Sequence, residues 1–245
     1  KVTDNVTESL MLTNDKGELE PTLLAEMPVL SEDKLTYSFT LKDGVTFHNG
    51  APLTSNDVKY SLERMVSKYK MSSLLEKVAG YQEFFDEQAD EITGIEIVDD
   101  THFNIHMSEI YTPLLSALST PYCAIYPAEA CEEAGDNWGM SVLYGTGPFK
   151  LVSYQTGVGV ELAKNENYHG GEVKLDGITV SSTHLRTLLK AGEMETAVRF
   201  LGHGHILSGL VQHGDSRGHT LGLPTANLAL EPELLLPAFG VYGGW

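Results

Sequence analysis

Residues 34–69 change hydrophobic period part-way along, which sets a strand and a helix side by side within one short stretch. In KLTYSFTLKDGVTF (34–47), Leu35, Tyr37, Phe39 and Leu41 alternate with Thr36, Ser38 and Thr40 before Asp43-Gly44. Alternate residues of an extended chain share a face, so this run reads as a strand entering a tight turn, and a hairpin is predicted there. His48-Asn49-Gly50 makes a second turn. Thr54 or Ser55 then caps a helix predicted to start near Asn56, because Val58, Leu62, Met65 and Tyr69 recur at helical spacing. Such a helix buries its apolar stripe against a sheet.

Further along, EITGIEIVDDTHFNIHM (91–107) gives two short alternating strands around Asp99-Asp100, a second predicted hairpin. Thr112–Leu118 reads as a short helix, and the proline-bounded apolar run PYCAIYP (121–127) as a buried strand. GTGPFKLVSYQTGVGVELAK then supplies a glycine-proline turn and two strand-like runs split at Gln155–Gly157. Together these elements predict an α/β fold with mixed strands rather than regular βαβ repeats.

The formal charge of −18 repels nucleic acid and anionic lipid surfaces, which excludes a nucleic-acid partner. No run approaches the roughly 20 apolar residues of a membrane-crossing helix. Cys123 and Cys131 lack the spacing of a zinc site and are too few for a disulfide framework, so they read as free or buried thiols. The chain begins at Lys1 without a basic and apolar leader, as expected where a signal peptide has been removed or was never included. His102 and His106 share a strand face at a separation too large for one metal ion, and with His48 they read as turn or surface residues.

Charge divides the chain near residue 180. Up to Val180 there are 29 acidic and 12 basic residues; from Ser181 onward there are 5 and 4, with five of the nine histidines. Such a shift marks a candidate boundary. Beyond it, SSTHLRTLLKAGEMETAVRFLG carries Leu185, Leu188, Leu189, Ala197 and Phe200 at the spacing of two short helices broken at Ala191-Gly192. SGLVQHGDSRGHTLGLPTANLAL follows with a strand-like start and a glycine-rich loop, and PAFGVYGGW reads as the beginning of another strand.

Four stretches, LTYSFTLKDGVTFHNGAPLTSNDVKYSLERM, TPLLSALSTPYCAIYPAEA, GTGPFKLVSY and LAKNENYHGGEVKLDGI, resemble the peptide- and nickel-type solute-binding proteins of ABC transporters, family 5. The resemblance implies a two-lobed, non-enzymatic binder that closes on an oligopeptide, dipeptide or metal chelate and delivers it to a permease. It implies an extracytoplasmic location, periplasmic or lipid-anchored at the cell surface. Residues 1–180 would form a truncated periplasmic-binding-protein-like lobe, with binding impaired because the second lobe is missing. PYCAIYP matches a ligand-facing segment of that family, which makes Tyr122 and Cys123 candidates for the cleft wall, whereas the residues alone favour core positions in a buried strand.

Residues 181–245 are similar to a different family, the bacterial bifunctional riboflavin kinase/FAD synthetases. SSTHLRTLLKAGEMETAVRFLG resembles the end of the adenylyltransferase module, where Ser182, Thr183 and Arg186 would approach nucleotide phosphates. HGDSRGHTLGLPTANL resembles the kinase loop for ATP and magnesium, with Gly214, Gly218 and Gly222 shaping it and Thr225 and Asn227 as metal ligands. The chemistry suits that role, since small residues admit phosphate oxygens to backbone N–H groups, and a hydroxyl and an amide carbonyl are hard ligands for Mg²⁺. Ser216 and His219 stand where that family usually has glycine and arginine, and Leu223 replaces an aromatic residue. Losing the arginine charge weakens the case for phosphate affinity. The resemblance implies Mg and ATP, with riboflavin or FMN, as cofactors in a cytoplasmic setting; the family's catalytic carboxylate lies past the matched text. The expected architecture is therefore the truncated lobe, a helical pair and a partial β-barrel fragment.

Overall fold

A computed structural model of the chain describes residues 3–14, 16–69, 72–155, 159–173, 179–180, 182–201, 210–212 and 227–229. The chain divides into two compact units, one comprising Val2–Tyr154 and Val160–Ile178, the other Gln155–Gly159 with Thr179–Trp245.

The larger unit opens with an antiparallel pair, β1 (Met11–Thr13) and β2 (Leu19–Pro21). The Asn14 side chain closes the turn between them, its Oδ1 accepting from the Lys16 and Glu18 amides. A four-stranded antiparallel sheet follows, built from β3 (Val29–Leu30), β4 (Thr36–Thr40), β5 (Ile95–Ile97) and β6 (His102–His106) in the order β3-β4-β6-β5. Tyr37 and Phe39 point to one face, opposite Ile105 and Phe103 of β6, and the Phe39 and Phe103 rings stack at 4.7 Å.

Against that sheet lies α1 (Ser55–Tyr69). Its start is a reciprocal cap: the Thr54 hydroxyl and amide both donate to Asp57 Oδ2, at 2.7 and 2.9 Å, while the Asp57 amide returns to Thr54 Oγ1. Asp57 Oδ1 also accepts from the Ala128 amide at 2.9 Å, tying α1 to the start of another helix. Val58, Leu62 and Met65 are buried, as their helical spacing predicts. The unit is completed by α2 (Tyr81–Phe85), α3 (Leu114–Leu118), α4 (Ala128–Ala134) and the paired strands β7 (Phe149–Gln155) and β8 (Gly159–Lys164).

Two expectations change. The strand at residues 36–40 does not fold back on the residues after Asp43-Gly44; its partners are β3 and the distant β6. The chain instead closes a small loop around Asn49, with the Phe47 amide on Ala51 O and the Leu53 amide on Val45 O. Pairing β4 with β6 brings Phe39 onto Phe103, a burial that an immediate hairpin would not achieve. The run PYCAIYP is likewise no strand: Pro121–Cys123 forms a 3-10 turn, and the extended residues after it make a single bridge, Ser9 to Ala124. Proline at both ends of the run has no N–H to give a sheet ladder.

In the smaller unit, β9 (Thr179–Val180) leads into α5 (Ser182–Ala191) and α6 (Met194–Leu201), and β10 (Leu210–Gln212) pairs antiparallel with β11 (Asn227–Ala229). Leu188, Leu189 and Ala197 form its buried cluster, with Met194 packed against it. The break between the helices is a Schellman turn: Gly192 takes φ 79°, its amide reaches Leu189 O, and the Glu193 amide reaches Leu188 O. A side chain at that φ is strained, so Gly192→Ala is expected to weaken the helical pair by about 1 kcal/mol. Native-state hydrogen exchange of the last α5 amides would read the loss. Gly214, Gly218, Gly222 and Thr225, and with them most of the expected barrel fragment, lie outside the described residues.

Candidate functional site

Residues 6–10, between a 3-10 turn at Thr3–Asn5 and β1, pass between three later parts of the larger unit. The Ile125 amide donates to Glu8 O at 2.9 Å, Ser9 Oγ donates to Thr120 O at 2.8 Å, and the Gly147 amide donates to Val6 O at 3.1 Å. A groove of about 470 Å³ opens along this segment. Glu8, Ser9, Met11 and Thr13 supply one side; Ser119, Pro121 and Ala124 supply the other, and Pro148 and Tyr168 stand at one end. The lining mixes hydroxyls with apolar surface. Thr22 Oγ1, also in the lining, is buried and has no hydrogen-bond partner among the described residues.

Glu8 is the charged centre of the groove wall. Its Oε2 accepts from Thr146 Oγ1 at 2.8 Å and His169 Nε2 at 2.7 Å, and its Oε1 accepts from the Tyr168 hydroxyl at 2.9 Å. Burial by itself pushes this carboxyl up; the His169 hydrogen bond and charge, with the Thr146 and Tyr168 bonds, outweigh it and hold the group below its ordinary range. The same arrangement, burial first and then the facing carboxylate, pushes the Tyr168 phenol up.

His48 lies in the turn that its sequence context suggests and is half-buried there, where it braces the groove wall. Its Nε2 lies 2.9 Å from Gly147 O, its Nδ1 3.2 Å from the Gly145 amide, and its own amide donates to Gly145 O. Glycine is required at both positions of the turn, because a Cβ at Gly145 would collide with Val6 O and one at Gly147 would sit 2.7 Å from Asn5 O. Asn165 completes the brace, its side-chain amide donating to Gly147 O at 3.0 Å.

Of the two candidates in the cleft wall, Tyr122 is 61% exposed, next to the groove residue Pro121, and Cys123 is buried with its Sγ 3.7 Å from Met65 Sδ. Burial pushes the Cys123 thiol up to about 12. His102 and His106 each meet their own carboxylate, Asp99 at 2.8 Å and Glu96 at 2.9 Å. In the smaller unit, Ser182 and Thr183 occupy the first turn of α5, Arg186 is exposed on the same helix, and Asn227 starts β11 opposite Gln212. The Glu8, Thr146, Tyr168 and His169 cluster was not anticipated, and no local pattern marks it. A second, smaller concavity of about 350 Å³ lies between α1 and α4, with Tyr60, Glu63, Arg64 and Glu132 in its lining. It is walled by side chains rather than by a backbone segment.

The larger unit is thus a lobe of mixed helices and antiparallel sheets that carries this groove. The chain belongs to family 5 of the bacterial extracellular solute-binding proteins, whose middle-region model matches residues 18–203. Among curated relatives, the nickel-binding protein NikA of Staphylococcus aureus is 30% identical over 174 residues, 71% of this chain and 31% of the relative. The chain thus spans about a third of the length of such relatives. Listeria monocytogenes OppA bound to peptide shares the fold, with TM-score 0.70 and 22% identity over 85% of this chain and 42% of that one.

A second, unrelated model, riboflavin kinase, matches residues 201–245. The bifunctional riboflavin kinase/FMN adenylyltransferase of Listeria monocytogenes is 44% identical over 63 residues, 26% of this chain and 20% of that protein. The two models match different parts of the chain and overlap only at residues 201–203. That 63-residue match is longer than the stretch from 201 to 245, so it reaches back into the α5–α6 pair that the solute-binding model also covers. Among the described residues, no helix is long and apolar enough to cross a membrane.

Proposed function

We propose that the groove along residues 4–13 holds an extended solute, a short peptide or a compact chelate, for delivery to an ABC-transporter permease outside the cytoplasm. One observation carries this reading: the groove combines hydroxyls at Ser9, Thr13 and Thr22 with apolar surface at Met11, Leu12 and Pro121, a lining that suits a backbone-like ligand with mixed side chains. Relatives support that range, from a nickel-binding protein to glutathione- and heme-binding proteins and a peptide-bound OppA.

The alternative is a nucleotide and flavin site in the smaller unit, favoured by the 44% identity to the riboflavin kinase relative. It would use Ser182, Thr183 and Arg186 toward phosphates and Thr225 and Asn227 toward Mg²⁺, with ATP and riboflavin or FMN as ligands.

Thermal unfolding separates the two. A ligand present at ten times its Kd stabilises the native state by about 1.4 kcal/mol, a rise of about 3–6 °C for a chain of this size. Di- and tripeptides, or a nickel chelate, are expected to raise Tm while ATP–Mg²⁺ with riboflavin does not. A rise with nucleotide and flavin alone sinks the groove proposal, and a flat response to every probe sinks both.

A further inference from the structure

We infer that His48, as the neutral Nε2–H tautomer, is a positioning residue for the groove wall: it holds the Gly145–Pro148 turn that sets Thr146 on Glu8 and Pro148 in the groove, and the wall loosens when His48 takes up a proton. The functional meaning rests on the groove being the solute site; the loosening itself is measured without any solute.

The imidazole faces two backbone groups of opposite polarity on one turn. The Gly145 N–H must donate, so Nδ1 carries no proton; the Gly147 carbonyl must accept, so Nε2 carries one. Only one neutral tautomer meets both demands. The imidazolium presents N–H groups on both nitrogens, and Nδ1–H would then face the Gly145 N–H, donor against donor. The turn could not simply slide aside, because the His48 amide is bonded to Gly145 O and the Gly147 amide to Val6 O. Displacing it moves Thr146 off Glu8, and with it the segment that forms one side of the groove.

The charged groups around His48 act in both directions. Burial disfavours its proton most, Lys150 on β7 adds to that, the bond to Gly147 O opposes it, and Glu8 on the opening segment also opposes it; the net direction is downward. Tyr168 and His169, on the loop after β8, direct their polar atoms to Glu8 instead. Because the folded value lies below the unfolded value of about 6.5, the neutral form's contribution is complete above that pH and is lost as pH falls toward the folded value.

Amide hydrogen exchange, corrected for intrinsic rates and followed at Gly145, Gly147 and Ile125, tests this on the full chain. Wild-type protection at these amides is expected to drop about ten-fold between about pH 7.5 and pH 5, in step with the His48 ring titration seen by nitrogen NMR. His48→Gln keeps an N–H for Gly147 O and does not titrate, so its protection is expected to be insensitive to pH over that range. His48→Ala is expected to be poorly protected at both ends; should it fail to fold, the wild-type and His48→Gln series still decide. Unchanged wild-type protection across the range, an Nδ1–H tautomer at the upper end, or a His48→Gln protein with the wild-type pH response would each overturn the inference.

Discussion

Phe39→Ala is expected to destabilise the larger unit by about 3–5 kcal/mol, measured as a lower urea midpoint with an unchanged slope. Phe39 is 2% exposed, lies directly opposite Phe103 across β4 and β6, and stacks on it with an interplanar angle of 3°. Truncation removes a ring's worth of buried surface and leaves a cavity between two strands whose register keeps them from closing it. The loss is expected to exceed that of Tyr37→Ala, because Tyr37 lies nearer the edge of the core and its hydroxyl makes only a 3.4 Å contact with Tyr111 O. Equal losses for the two variants would show that the aromatic stack adds nothing beyond area.

Glu8→Ala comes next in size, at about 3–5 kcal/mol, the range for breaking a buried charged pair from one side. The substitution strips acceptors from Thr146, Tyr168 and His169 together and leaves their polar atoms against the wall. Glu8→Gln keeps the shape but turns amide hydrogens toward donors, and is expected to lose nearly as much. The pH dependence has a definite sign. The folded-state carboxyl of Glu8 sits below its ordinary value, so its contribution is present above the unfolded pKa of about 4.3 and disappears as pH falls through the folded value. A wild-type stability profile should therefore show two acid losses: one beginning near pH 6.5 from His48, absent in His48→Gln, and one below about pH 4, reduced in Glu8→Ala to what Asp99 and other lowered carboxylates contribute. A lower loss undiminished in Glu8→Ala would assign it wholly to those other carboxylates.

What could be read from sequence was whatever one short stretch decides by itself. The alternation at Tyr37 and Phe39, the hairpin around Asp99-Asp100, the helical spacing of Val58, Leu62 and Met65, and the break at Gly192 are all local, and each is where the pattern put it. The hairpin expected after residue 41 failed because the turn signal at Asp43-Gly44 specifies only a change of direction; the pairing of β4 was decided by an aromatic partner on β6. The strand expected at PYCAIYP failed because apolar content signals burial of Cys123 and Ile125 without saying whether a ladder partner exists. The Glu8 cluster was illegible for a simpler reason: its bonds join residues 138 to 161 positions apart. His48 looked like part of an ordinary turn motif, and the glycines it braces looked like turn glycines, because neither stretch names the other. Family resemblance, carried by long ordered stretches, reached further than periodicity and named both families whose models match the chain.

The distance between Glu8 and its partners also sets an order of events during synthesis. Glu8 leaves the ribosome well before the groups it bonds: its carboxylate meets no partner until Thr146 appears, and neither the Tyr168 hydroxyl nor the His169 imidazole until later still. At bacterial elongation rates of about 5–20 residues per second, those 161 positions correspond to roughly 10–30 s of translation. Throughout that interval Glu8 lacks the bonds that fix it in the folded lobe, and Thr146, Tyr168 and His169 act together as the key that locks it in place.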